Sequence, residues 1–159
     1  MKPIYYYIVG LIILILLFMN NKKIIGITKN FKIRGNDPHG LGSGAFGVSR
    51  GGGTRKHSGI DIVVRENEPI YAPFDMIFNR VAIPYANDNI YRGAEYLTDF
   101  GTVKIFYFQP LTTKRNFLKG DVIGYAQDIS KKYDPRMTTH IHFEMRDQKG
   151  NLLNPENYV

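Results

Sequence analysis

Two short segments hold the residues best suited to chemistry. One is His57-Ser58-Gly59-Ile60-Asp61, and the other, much farther along the chain, is His140-Ile141-His142. Together they supply imidazoles and a carboxylate, the nitrogen and oxygen donors of an open zinc site. A structural zinc site closes its shell with a fourth protein ligand, often cysteine, and this chain has no cysteine. Two imidazoles and a carboxylate would leave one coordination position for water, the position at which zinc does chemistry.

These ligands need particular elements to hold them. In Thr138–Arg146 the apolar residues Ile141, Phe143 and Met145 alternate with polar ones. Period two predicts a strand, and side chains two apart share a face, so His140 and His142 point the same way. One can hold a metal while the other meets whatever the metal activates. Glu144 falls on the same face and is expected to act as a salt-bridge or supporting partner. His57 and Asp61 are four apart, but Gly59 between them and the β-branched Ile60, Ile62, Val63 and Val64 argue against a helix. His57 is expected at the end of a glycine-rich loop and Asp61 early in a strand.

The chain has 159 residues, enough for one domain and an appendage. The appendage is residues 1–23. Ile4 to Met19 is a run of 16 apolar, Tyr or Gly residues without charge, flanked by Lys2 and by Lys22-Lys23. As a helix it would span roughly 24 Å, against a hydrocarbon core of about 30 Å, with Tyr5–Tyr7 extending it into the interface. This predicts one N-terminal hydrophobic helix that anchors the chain in a membrane through residues 4–19. The competing reading is a cleaved signal segment, giving a secreted domain, but Phe18–Lys23 offers no small-x-small cleavage site. Either way the domain is expected outside the cytoplasm, periplasmic or extracellular. Residues 24–33 read as a connector, with a strand at Ile24–Thr28, and 34–159 as the folded domain.

The net charge is +7. Three of the 21 basic residues and none of the 14 acidic ones lie in 1–23, so the rest carries 18 basic against 14 acidic residues, a net +4. That suits an anionic polymer or surface, while the absence of a basic run interleaved with aromatics argues against nucleic acid. Strands are expected at Ile60–Val64, around Ile70-Tyr71, at Met76–Ile83, Thr102–Phe108, Val122–Tyr125 and from His140. Pro84–Tyr96 reads as a polar loop, Gly35–Gly53 as a glycine-rich loop or flap, and Gln148–Asn151 as a hairpin turn. Sequential strands with tight turns predict an antiparallel all-β domain.

With these residues in view, the chain resembles the lysostaphin-type (LytM-like) zinc metallopeptidases over most of Arg34–Val159. The matching motifs are His57–Asp61, Ile70-Tyr71-Ala72-Pro73-Phe74-Asp75, Leu118–Gly124, His140–Arg146 and Asn154-Pro155. Asp37-Pro38-His39-Gly40, Pro84-Tyr85 and Val103–Tyr107 resemble the leukocyte cell-derived chemotaxin branch, which uses disulfides where this chain has Leu41, Val64 and Thr102.

The resemblance implies a duplicated hybrid β-motif and one zinc ion held by His57, Asp61 and His142, with His140 facing the metal-bound water. It implies cell-wall peptide or peptidoglycan as the partner. It also implies a further catalytic histidine in a Tyr-x-His-Leu segment, where this chain has Gln109 in Tyr107-Phe108-Gln109-Pro110-Leu111. Glutamine donates a hydrogen bond but exchanges no proton. The expectation is thus a metalloendopeptidase with an impaired site, catalytic residues His140 and Gln109. The alternative is a non-catalytic, zinc-stabilised binding or regulatory module like the chemotaxins.

Overall fold

The computed structural model describes Tyr7 and residues 23–38 and 41–159. The expected helix over residues 4–19 lies outside the described residues but for Tyr7, as does His39. Among the described residues no helix is long and apolar enough to cross a membrane.

The strands are β1 (Ser49–Arg50), β2 (Arg55–Lys56), β3 (Ile60–Val63), β4 (Pro69–Tyr71), β5 (Met76–Ala82) and β6 (Gly93–Thr98), followed by β7 (Gly101–Phe106), β8 (Phe108–Pro110), β9 (Asn116–Phe117), β10 (Val122–Ala126), β11 (His140–Asp147) and β12 (Leu152–Leu153). The larger sheet runs β12-β11-β7-β6-β5-β9, with β3 also paired to β11. The smaller runs β4-β10-β8, and β1 and β2 form a separate ribbon. Every ladder between these strands is antiparallel. The all-β expectation therefore holds.

Alternation builds the core. On β11, Ile141, Phe143 and Met145 are fully buried, and on β3 Ile60 and Ile62 are too. They join Ile70 and Ile123 of the smaller sheet, Ala94 and Tyr96 of β6, and Val103 and Ile105 of β7 in one apolar cluster. The opposite face of β11 carries His140, His142 and Glu144, also buried, beneath the loops that precede β3.

Three local expectations need correction. Pro84–Tyr96 is not loop throughout, because β6 begins at Gly93 and is paired on both sides, with β5 and β7. Its inward side chains, Ala94 and Tyr96, are fully buried, but small Ala94 gave little apolar signal. Thr102–Phe108 is not one strand, because Tyr107 has φ +67° and the chain there leaves the larger sheet for the smaller. Ile24–Thr28 holds a 3-10 turn at Ile25–Ile27 rather than a strand. Ile24 and Ile27 enter the core, and the Ile24 N–H donates to the Tyr158 carbonyl at 2.8 Å.

Candidate metal centre

The pairing of β3 with β11 sets Asp61 directly opposite His142 and His140 opposite Val63. Side chains facing each other in this way have Cβ atoms only about 5 Å apart. His57 approaches from the loop after β2, where its N–H donates to the Val48 carbonyl and its own carbonyl accepts from Gly47. Gly59 makes this entry possible. A methyl group there would sit 2.2 Å from the Phe143 carbonyl oxygen and 3.0 Å from Cε1 of His142. The glycine in the first motif is thus a close-approach position that lets the segment lie on β11.

The three side chains converge. His57 Nε2 lies 3.0 Å from His142 Nδ1, and each lies 3.1 Å from Asp61 Oδ1. All three residues are buried, and their ligand atoms fall within 4.8 Å of one another. The tautomers follow from the outer nitrogens. His57 Nδ1 is 2.8 Å from the Ala45 carbonyl, to which it donates, so in the neutral ring Nε2 carries a lone pair. His142 Nε2 faces Glu144 Oε2 at 3.7 Å, and with its proton on that side Nδ1 carries the lone pair. With both imidazoles neutral and in these tautomers, three acceptors meet, an arrangement that a cation relieves. An ion with tetrahedral bonds of about 2.0–2.1 Å separates its ligand atoms by about 3.3 Å, close to this triangle. The donor set fits a metal ion.

Surrounding groups hold the ligands. Burial pushes the Asp61 carboxyl up, but the His142 and His57 imidazoles outweigh it and hold it well below the usual carboxylate range. Burial likewise pushes His142 down, and Asp61 and Glu144 reverse that to a net rise. Phe106, opposite His142 on β7, stacks on its ring at 6.0 Å between centroids. Glu144 accepts from Ser58 Oγ at 2.9 Å and from Arg146 Nε at 2.9 Å. Despite burial, His142, Ser58 and Arg146 lower its carboxyl to about 2. Glu144 is therefore the supporting partner that its spacing suggested.

His140 stands beside the triangle. Its Nδ1 lies 2.8 Å from the Thr138 carbonyl, and Nε2 is 3.7 Å from Asp61 Oδ2. Burial lowers its pKa, which favours the neutral ring. The side chain that reaches this ring from the β7–β8 segment is Tyr107, edge-on at 5.7 Å. Gln109 is exposed on β8 opposite Tyr125. It lines a groove of about 300 Å³ whose wall includes Asn67, Tyr91 and Lys131 and none of the three histidines or Asp61. Gln109, expected as a catalytic partner of His140, thus faces this groove, while Tyr107 is the residue of the segment whose ring meets His140. The positive φ of Tyr107 falls where the chain passes from β7 of the larger sheet to β8 of the smaller. The Tyr107 phenol also bonds Tyr85 Oη at 3.2 Å, and burial pushes it up to about 12.

Sequence reasoning missed the arginines. Arg34 is buried, and its Nη2 donates to Asp61 Oδ2 at 2.9 Å, while Arg50 Nη2 approaches the same oxygen at 3.4 Å. No periodicity marks either residue, and the one available signal was the charged pair Arg34 and Asp37 in an otherwise glycine-rich stretch.

The chain is thus an antiparallel β-domain with a buried His-Asp-His triangle that could hold a metal ion. No protein-family model matches the chain. It is 30% identical over 117 residues to leukocyte cell-derived chemotaxin-2 of Bos taurus, covering 73% of this chain and 74% of that protein. It is 33% identical over 94 residues to the same protein of Mus musculus, covering 58% of this chain and 62% of that one. Among solved structures, Csd3 of Helicobacter pylori aligns with 81% of the chain at TM-score 0.57 and 15% identity, the chain spanning 33% of Csd3. A point mutant of the catalytic domain of the prophage-encoded M23 protein EnpA of Enterococcus faecalis aligns with 82% of the chain and 92% of its own, at TM-score 0.52 and 18% identity. The chain belongs to the leukocyte cell-derived chemotaxin family and has the fold of the lysostaphin-type (LytM-like, M23) peptidase domains.

Proposed function

We propose that this chain is a zinc-binding, peptidase-like domain that engages cell-wall peptide with an impaired catalytic site. The observation that carries the reading is the triangle of His57 Nε2, Asp61 Oδ1 and His142 Nδ1, with edges of 3.0–3.1 Å. These residues would hold the ion, which when bound supplies Lewis acidity and lowers the pKa of a water molecule. His140 is placed to accept a proton, because its Nδ1 is committed to the Thr138 carbonyl and Nε2 is left as the free acceptor. Proton delivery to a leaving amine is the weak point. The neighbouring side chain is a phenol raised to about 12, poorly matched to proton exchange near neutral pH.

That same phenol favours the second reading, a non-catalytic zinc-stabilised recognition module. The partner in both readings is peptidoglycan peptide, as the resemblance implies. Residues 4–19 would tether the domain to a membrane, outside the cytoplasm, a placement that fractionation of cells expressing the full chain tests.

The deciding experiment measures metal content of the purified protein and then incubates it with cell-wall peptides. Zinc-dependent, chelator-sensitive appearance of new amines supports the enzyme. Stoichiometric zinc with peptide binding and no new amines supports the module. Failure to take up a transition metal after reconstitution defeats both.

A further inference from the structure

The Arg34–Asp37 pair lies between the two halves of the centre. Arg34 Nη2 donates to Asp61 Oδ2 at 2.9 Å, and Nη1 donates to Asp37 Oδ2 at 2.8 Å and to the Gly42 carbonyl at 2.9 Å. Asp37 in turn accepts from the Thr138 N–H at 2.9 Å and from Thr138 Oγ1 at 2.6 Å. The Thr138 carbonyl is the partner of His140 Nδ1. Charge-assisted hydrogen bonds therefore run from the carboxylate of the triangle through Arg34 and Asp37 to Thr138, whose backbone carbonyl meets the histidine beside it. Backbone contacts fix its first link. The Arg34 N–H donates to the Asp61 carbonyl, the Asp61 N–H to the Gly44 carbonyl, and the Gly44 N–H to the Arg34 carbonyl, each at 2.8 Å. Gly44 permits this closeness, since a Cβ there would lie 2.8 Å from the Cβ atoms of both Arg34 and Asp61.

We propose that Arg34, Asp37 and Thr138 form a positioning clamp that presents Asp61 Oδ1 to the metal and holds His140 in register with it. The inference rests on the metal reading above. The two oxygens of Asp61 have divided roles. Oδ1 meets both imidazole nitrogens, while Oδ2 is occupied by Arg34. A guanidinium suits the task because its planar fork reaches three acceptors at once, which a lysine ammonium on its flexible stem cannot reproduce. Supporting partners of this kind typically contribute about 10–100-fold in metal affinity.

The test uses the full chain loaded with Co2+ for its visible spectrum, Zn2+ affinity by chelator competition, and the imidazole nitrogen resonances of His140. Arg34→Met and Arg34→Lys should each lose about 10–100-fold in Zn2+ affinity and change the Co2+ spectrum. Thr138→Val touches no ligand of the triangle, yet it should shift the His140 resonances and alter the Co2+ spectrum. A merely structural role would lower thermal stability and leave both signatures as in the wild type. Folded variants with wild-type affinity, spectrum and His140 signals overturn the clamp while leaving the metal centre intact. If the Arg34 variants do not fold, Thr138→Val decides alone. A wild-type chain that takes up no Co2+ overturns the metal reading and the clamp with it.

Discussion

His142 stands directly opposite Asp61 across the β3–β11 pairing, with Nδ1 3.1 Å from Oδ1. The backbone register thus brings together two donors 81 positions apart, and His57 needs only the loop before β3 to reach them. Asp61→Asn keeps the shape and the register but removes the charge that a divalent ion requires. Zinc affinity should fall by more than about 100-fold, beyond the range of supporting partners. Chelator competition on folded protein measures this. An Asn variant that binds zinc as the wild type does would remove Asp61 from the ligand set.

The edge of Tyr107 against His140, and the outward place of Gln109, separate two variants that sequence spacing alone would confuse. Tyr107→His should introduce a group that exchanges protons near neutral pH beside His140. Hydrolysis of cell-wall peptide should then rise, by up to the roughly 10²–10⁴-fold of a general acid–base residue. Histidine also tolerates the positive φ of this position better than most residues. Gln109→His should leave the rate at background, because its side chain points to the groove beside Tyr125. The reverse ranking in a peptide assay would assign the catalytic position to Gln109 instead.

How much of this was legible depends on the range of the signal. The β11 strand and its two histidines were readable because Ile141, Phe143 and Met145 mark a clear period of two. Asp61 was readable as a donor because Ile60 and Ile62 flank it as core residues. The strand β6 was not, since Gly93 and Ala94 contribute little apolar area. The positive φ of Tyr107 was invisible because no glycine or asparagine announces it. Arg34 and Asp37 reach their partners through tertiary contacts to Asp61 and Thr138, 27 and 101 positions away, and no local pattern encodes such distances.

Gly59 offers a test of how the fold sets the site. Its missing side chain leaves room for the Phe143 carbonyl, which a methyl group would approach to 2.2 Å. Gly59→Ala must push the segment off β11, and overpacking of this kind costs about 1–3 kcal/mol. The same displacement moves His57 and Asp61 together relative to His142. Thermal midpoint and zinc affinity should therefore fall in parallel. A variant that loses stability but keeps affinity would show that the triangle adapts independently of the strand pairing.

Asp37 makes a prediction about acid. Burial raises its pKa, but the Thr138 hydroxyl and N–H and the Arg34 guanidinium outweigh that and hold it below its ordinary value. A carboxyl whose folded pKa is depressed binds fewer protons folded than unfolded, so its stabilisation is fully present above the unfolded pKa of about 3.9 and is lost as pH falls through the folded value. Asp37→Asn removes this titration and leaves Arg34 with one carboxylate in place of two. The variant should be less stable than the wild type at neutral pH, and the gap should narrow as the pH drops below about 4. Denaturant midpoints of the metal-free chain across that range measure it. A gap that stays constant from neutral pH to below 4 would show that Asp37 contributes by shape alone, with no charged link to Arg34.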